Sequence, residues 1–96
     1  KYCTRLENVN LDLSESLDNT NMFNYARGLT NARLSGVKAS IGFYDCNLGS
    51  GNITNIFNDL ETVSSATIDI RQNYGTSWLH SDTIAIATNK GWTVTT

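Results

Sequence analysis

The sequence predicts an α/β fold: a short solenoid of parallel strands backed by short helices, with a C-terminal capping helix and strand. Three observations predict it. The stretch Ala39-x-Ile41-x-Phe43-x-x-Cys46 returns further along the chain, in the same pattern, as Ala66-x-Ile68-x-Ile70-x-x-Asn73. In both copies three apolar residues alternate as a half-buried strand requires, and a small polar or thiol side chain follows at a fixed distance after the last. Between the copies, Ile53, Ile56, Phe57 and Leu60 recur at the spacing of one helical face. After the second copy the rhythm ends in Trp92-x-Val94, an alternating segment fit to finish a sheet.

Taken in order, the first element is the alternation Val9, Leu11, Leu13, followed by Ser16. It reads as a third copy of the strand, at a slightly longer interval before Ala39 than separates Ala39 from Ala66. A competing register sets Leu6-x-x-Val9-x-Leu11 against Leu29-x-x-Ala32-x-Leu34, at a shorter interval. Lys1 to Thr4 are either a frayed end or the tail of a preceding repeat. Met22, Phe23, Ala26 and Leu29 share one helical face after a run of cap-forming residues, so a short helix is expected there, ended by Gly28 and the Thr30-Asn31 pair. Ser35-Gly36 marks a turn before the next strand. In the second connection Asn52 is the expected N-cap of the helix that carries Ile53 to Leu60. Tyr74 to Trp78 reads as a loop with two large aromatics, and Ser81-Asp82 as the cap of a helix through Ile84 to Ala87. Gly91 stands as its C′ glycine. Trp92 is large enough to cover the open end of a stack. The whole reads as one domain over residues 1–96, with repeat strands near 9–16, 39–46 and 66–73 and a cap over 78–96. Beginning at Lys1, it has the look of a processed product or of a segment of something longer.

Composition narrows the classes. The formal net charge is −2 with seven Lys and Arg residues scattered along the chain, which gives no phosphate-binding face and disfavours nucleic acid as a partner. Asn, Thr and Ser supply 33 of 96 residues while only 17% are charged, a neutral polar surface of the kind common in extracellular and virion proteins. No apolar run approaches the length of a membrane span, so membrane insertion is not expected. Cys3 and Cys46 form no C-x-x-C pair; Cys46, on the inward position of its strand, reads as a buried free thiol in preference to a bridge with Cys3.

The residues resemble leucine-rich repeats of the surface-protein kind: the alternating strand closed by Cys46 or Asn73, and the Met22-Phe23-x-x-Ala26-x-x-Leu29 segment between strands. Thr67 to Asn73 and Ile86 to Val94 also resemble the C-terminal repeats of phage tail-fibre, head-decoration and bacterial surface proteins. Gly42 and Gly75 depart from that pattern, standing where a more regular repeat carries a bulkier residue. The resemblance implies a non-enzymatic structural or adhesive module of a bacteriophage virion surface, a tail fibre or capsid decoration, acting by protein or glycan binding. Its partners would be other virion or surface subunits and a host glycan or receptor, within an oligomeric assembly. The alternative is a bacterial cell-surface, extracellular interaction protein of the same repeat class.

Candidate chemistry is sparse. His80 lies beside Ser81 and Asp82, which frames a small-hydrolase alternative, but adjacent residues do not converge as nucleophile, base and orienter, and no catalytic residue is assigned. One His and two isolated Cys offer no zinc spacing, no acidic run has the calcium-loop pattern, and Gly49-Ser50-Gly51 lacks the Lys of a phosphate loop. No metal and no cofactor are implied. Asn52-x-Thr54 matches a glycosylation sequon, but Asn52 already has a structural role as a cap. What remains is the outward face of the strands: Asn10 and Asp12; Ser40, Gly42 and Tyr44; Thr67, Asp69 and Arg71. Tyr44, Asp69 and Arg71 are the leading contact residues, since an exposed aromatic beside paired charges suits polar ligands. Tyr74 and Trp78 form a second candidate, to plug the end of the stack or to touch a partner.

Overall fold

The computed structural model describes residues 7–15 and 18–96. Along the chain run β1 (Asn8–Asp12), β2 (Asn31–Ser35), β3 (Ile41–Gly42), α1 (Ser50–Asp59), β4 (Ala66–Asp69), a 3₁₀ turn (Thr76–Trp78), α2 (Ser81–Thr88) and β5 (Trp92–Thr95). Among the described residues every strand pairing is parallel. β1 pairs with β2, and β3, β4 and β5 form a second sheet in that order. Isolated parallel bridges set Asn19 beside Ile41 and Val37 beside Leu60. The result is a mixed α/β fold in which successive passages of the chain lie side by side in the same direction.

The repeat of the Ala39 stretch at Ala66 appears directly as the pairing of Ile41 with Ile68 and Gly42 with Asp69, and Val94 lies opposite Ile68 as the next strand. The first strand behaves differently. Val9 sits opposite Ala32 and Leu11 opposite Leu34, the shorter of the two registers, so the expected pairing of the first strand with residues 39–46 does not form. The cause is the turn at Gly36, whose φ is 67°. It separates residues 31–35 from residues 41–42, and each segment joins its own sheet. Ser16, the last position expected of that first copy, lies outside the described residues, as do Lys1 to Thr4 and Cys3.

Backbone hydrogen bonds carry the alignment past the strand ends. The amides of Phe23, Phe43 and Ile70 donate to the carbonyls of Gly42, Asp69 and Thr95, at 3.1, 2.8 and 3.0 Å. Two residues on, the amides of Tyr25 and Asp45 donate to Tyr44 and Arg71 at 2.7 and 3.0 Å. Phe23, Phe43 and Ile70 thus form one column, and Tyr25, Asp45 and Gln72 the next. All three residues of this second column have positive φ, 66°, 57° and 64°. A left-handed conformation costs a non-glycine residue about 1–2 kcal/mol. At Tyr25 and Asp45 the lateral amide bonds offset that cost.

These bonds also explain why residues 22–29 form turns where a helix was expected. The amides of Phe23 and Tyr25 are committed sideways to the next passage, and Tyr25 is left-handed, so no run of i to i+4 bonds can form. The segment keeps three-residue spacings, Met22 to Asn19, Asn24 to Asn21, Ala26 to Phe23 and Leu29 to Ala26, and one two-residue spacing, Arg27 to Tyr25. Its apolar residues still face inward: Phe23, Ala26 and Leu29 are buried, and the Phe23 ring stacks on Phe43 with centroids 5.1 Å apart. Met22 is exposed.

α1 buries Ile53, Ile56 and Phe57, with Leu60 just beyond its end. Its N-cap is Gly49 and not Asn52; Asn52 sits one turn in, where its Oδ1 accepts the Gly49 amide at 3.3 Å. α2 likewise begins one residue earlier than expected, with His80 as N-cap and Asp82 in its first turn, where a carboxylate suits the helix dipole. Asn89 is its C-cap, and Gly91, with φ 92°, stands one residue beyond the C′ position. The C-terminal end of α1 has no basic residue of its own, and Lys90 supplies one. Its ammonium donates to the carbonyls of Phe57, Asn58 and Leu60 at 3.0, 2.9 and 2.8 Å. Arg33 from β2 holds Asp59 through two bonds of 2.9 Å, and the Leu34 amide adds a third. Burial opposes ionisation of Asp59, but the Arg33 and Leu34 bonds and the charges of Arg33 and Lys90 outweigh it and hold the carboxyl below its ordinary range. Trp92 is buried and donates its indole N–H to Glu61 O at 2.8 Å.

Below the corners, Ala26, Cys46 and Asn73 are all buried. Asn73 Nδ2 donates to Phe43 O at 2.9 Å and to Ile70 O at 2.9 Å, while its Oδ1 accepts the Leu48 amide at 3.0 Å. Cys46 Sγ makes the same contact one passage earlier, to Phe23 O at 3.1 Å. Cys46 is a free thiol.

Gly42 and Gly75, the two departures from a regular repeat, are required by close backbone approach. A methyl group on Gly42 would run into Thr20 O, and one on Gly75 into the Gly49–Ser50 peptide. Gly51, inside α1, faces open space. Gly42→Ala is therefore expected to lower stability by about 1–3 kcal/mol, and Gly51→Ala to raise it by about 0.5–1 kcal/mol. Urea unfolding of both variants checks the pair.

Candidate binding face

Along β4 the side chains alternate: Ala66, Ile68 and Ile70 point into the core, while Thr67, Asp69 and Arg71 point away. The same alternation places Ser40 and Tyr44 outward beside them. Gly42, expected on this face, is buried beneath the Thr20 carbonyl. Where residues 20–25 curl over the end of β3, they close one side of a groove of about 460 Å³. Ser40, Ile41, Tyr44, Thr67, Asp69, Arg71 and Thr95 come from the sheet and the residues that flank its strands, and the rim is made by Thr20, Asn21, Asn24 and Tyr25.

The groove is held rigid by its own bonds. Asp69 takes three hydrogen bonds from Arg71: the amide and Nε to Oδ1, both at 3.0 Å, and Nη2 to Oδ2 at 2.8 Å. The Arg71 guanidinium lies 5.1 Å from the centroid of the Tyr44 ring, and Tyr44 meets Tyr25 edge-on at 5.4 Å. Arg27 repeats the arrangement one passage earlier, 5.7 Å from the Tyr25 ring and bonded to Asp45 Oδ2 at 2.9 Å. Cation–π contacts and edge-on ring pairs are each worth about 0.5–1.5 kcal/mol, enough to order surface side chains. Asn24 fastens the rim, its Oδ1 accepting the Tyr44 amide and its Nδ2 donating to Asn21 Oδ1, both at 2.9 Å. Ser40 Oγ accepts the Thr67 amide at 2.9 Å.

Tyr44, Asp69 and Arg71 are thus brought together, as three neighbours in one groove. Tyr74 and Trp78 are elsewhere: Tyr74 precedes the 3₁₀ turn and Trp78 ends it, 62% and 73% exposed, and neither lines the groove. Asn10 and Asp12 lie on β1 in the other sheet, where Asp12 Oδ1 accepts the Ser14 amide at 2.9 Å. Thr20, Asn21, Asn24, Tyr25 and Thr95 were missed as groove residues. The helical reading of residues 22–29 turned the rim into a different surface, and Thr95 enters only because β5 pairs with β4 in register. His80 is exposed, with its carbonyl accepting the Thr83 and Ile84 amides at the start of α2.

Among the described residues, no three His, Cys, Asp or Glu side chains are grouped to hold a metal ion, and no helix is long and apolar enough to cross a membrane. Comparison with known proteins returns no matching family model, no matching curated protein and no matching solved structure.

Burial opposes ionisation of Asp69, yet the bonds from Arg71 and its charge hold the carboxyl below the usual range. A group with a depressed folded pKa adds stability that is present above its unfolded pKa and lost as pH falls through the folded one. In an NMR titration Asp69 is expected to titrate below a free aspartate. Arg71→Met is expected to raise its midpoint back toward or above that of a free aspartate, and an unchanged midpoint would show that Arg71 is not the cause.

Proposed function

We propose that this chain is a non-enzymatic recognition module, built as a short leucine-rich-repeat-like solenoid, that works as a structural or adhesive part of a virion surface. The observation that carries the binding reading is the groove: outward side chains from consecutive strands, Tyr44, Asp69 and Arg71, share one rigid concavity. Side chains already ordered before a partner arrives lose little entropy on binding. The solenoid reading is supported by the two columns, in which Phe23, Phe43 and Ile70, and then Tyr25, Asp45 and Gln72, repeat the same backbone geometry. The neutral surface rich in Asn, Thr and Ser favours an extracellular or particle setting. The second reading, a bacterial cell-surface interaction protein, draws on the same groove and the same repeat, and differs only in where the chain is displayed.

A hydrolase centred on His80 is not proposed. His80, Ser81 and Asp82 are consecutive and exposed at the start of α2, and the groove lies on the sheet.

Immunogold labelling of source cells and of particles released from them tests display. Label on particles is the expected result, label on the cell envelope alone selects the second reading, and label confined to the cell interior overturns both. The same preparations test the groove: labelled chain is expected to bind host cells, and Arg71→Glu to lose about tenfold or more in affinity, with Trp78→Ala unaffected.

A further inference from the structure

We infer that the ligand of the β3–β4–β5 groove is a neutral oligosaccharide. The inference rests on the binding reading above and narrows it to one chemical class.

Charge is the first argument. Arg71 in the groove is matched by Asp69 at 2.8 Å, and Arg27 beside it by Asp45 at 2.9 Å. A phosphate, sulfate or carboxylate entering beside Arg71 would also meet the Asp69 carboxylate, and would gain no net attraction. The groove therefore has no preference for an anion, in contrast to sites where an arginine is left unpaired to grip one.

The lining supplies the second. Ser40, Thr67 and Thr95 present hydroxyl groups along the floor, and Asn21 and Asn24 present amides along the rim. Of the five guanidinium N–H groups of Arg71, two are directed at Asp69, leaving three to donate to a ligand. Hydroxyls, amides and guanidinium groups match a ligand whose every edge is both donor and acceptor, which is the surface of a neutral sugar. The half-buried rings of Tyr25 and Tyr44 add flat amphipathic area for its C–H faces.

Shape is the third. A concavity of about 460 Å³ falls in the range of small-ligand sites, about 300–1,000 Å³. A protein interface of standard size instead takes about 20–30 residues a side, and 11 line this groove. Among the described residues the exposed large apolar side chains, Leu11, Met22, Tyr74 and Trp78, all lie off the groove.

The test is an NMR titration of the labelled chain with chitohexaose, maltohexaose and a mannose hexamer, beside oligoalginate and oligosialic acid as anionic counterparts. At least one neutral oligomer is expected to shift the Tyr44, Thr67 and Asp69 amides with an affinity unchanged by added salt. Thr67→Glu places a carboxylate on the exposed strand face and is expected to weaken that binding about tenfold or more. Trp78→Ala serves as the control. Preference for the anionic oligomers, or binding that falls with salt, overturns the neutral class while leaving the binding face intact. If no saccharide binds but Arg71→Glu still abolishes attachment to host cells, the partner is a protein and the inference is wrong. If neither occurs, the groove is not a recognition site and both readings fall.

Discussion

The constraint on which this fold depends is that backbone amides at its corners bond to the next passage of chain and not along their own. Phe23, Phe43 and Ile70 each hand their amide to a carbonyl one passage on, and Tyr25 and Asp45 do the same two residues later. A small domain buries a modest fraction of its surface, so it cannot leave such groups unpaired in its interior. Lateral pairing satisfies them and stacks the apolar side chains in columns at the same time. Tyr25 and Asp45 give their amides away in this manner and turn left-handed, and Gln72 repeats the conformation beside Asp45.

Unequal connections can be stacked this way because the adjustments are local. The chain from Phe23 to Phe43 is shorter than the chain from Phe43 to Ile70, yet all three residues stand in one column. The extra length goes into α1, which packs its apolar face back onto the core and is closed by Lys90 and by the Arg33–Asp59 pair. Glycine is needed where passages press together: Gly42 under Thr20 and Gly75 against the first turn of α1. The regular pattern and its two exceptions have one cause, the close approach of neighbouring backbones.

That cause also separates what the sequence made legible from what it hid. α1 was readable because Ile53, Ile56, Phe57 and Leu60 report a helical face directly. The pairing of Ile41 with Ile68 was readable because both strands alternate cleanly. The segment 22–29 has equally helical spacing, yet its amides are bound for Gly42 and Tyr44 in the next passage, a destination that no local pattern contains. Residues 31–35 were ambiguous for a related reason: Ala32-x-Leu34 is a short alternation, and only the turn at Gly36 decides which sheet it joins. On the candidate face, Tyr44, Asp69 and Arg71 follow from alternation alone, whereas the rim at Asn21, Asn24 and Tyr25 required the tertiary curl. Gly42 was placed outward by the same alternation, and is buried because a neighbouring carbonyl covers it.

The account stands or falls on the register of the columns, and Cys46 reports on it. In that register Cys46 occupies the place of Asn73, under the corner, with its thiol on Phe23 O, and burial pushes its pKa up to about 12. The direct measurement is the rate at which a thiol reagent modifies Cys46 in a Cys3→Ser background, followed with increasing denaturant. The account predicts no reaction in the native state and a rate that rises only with global unfolding, since the thiolate is both hidden and disfavoured. Reaction of the native protein at the rate of an unfolded peptide would contradict it.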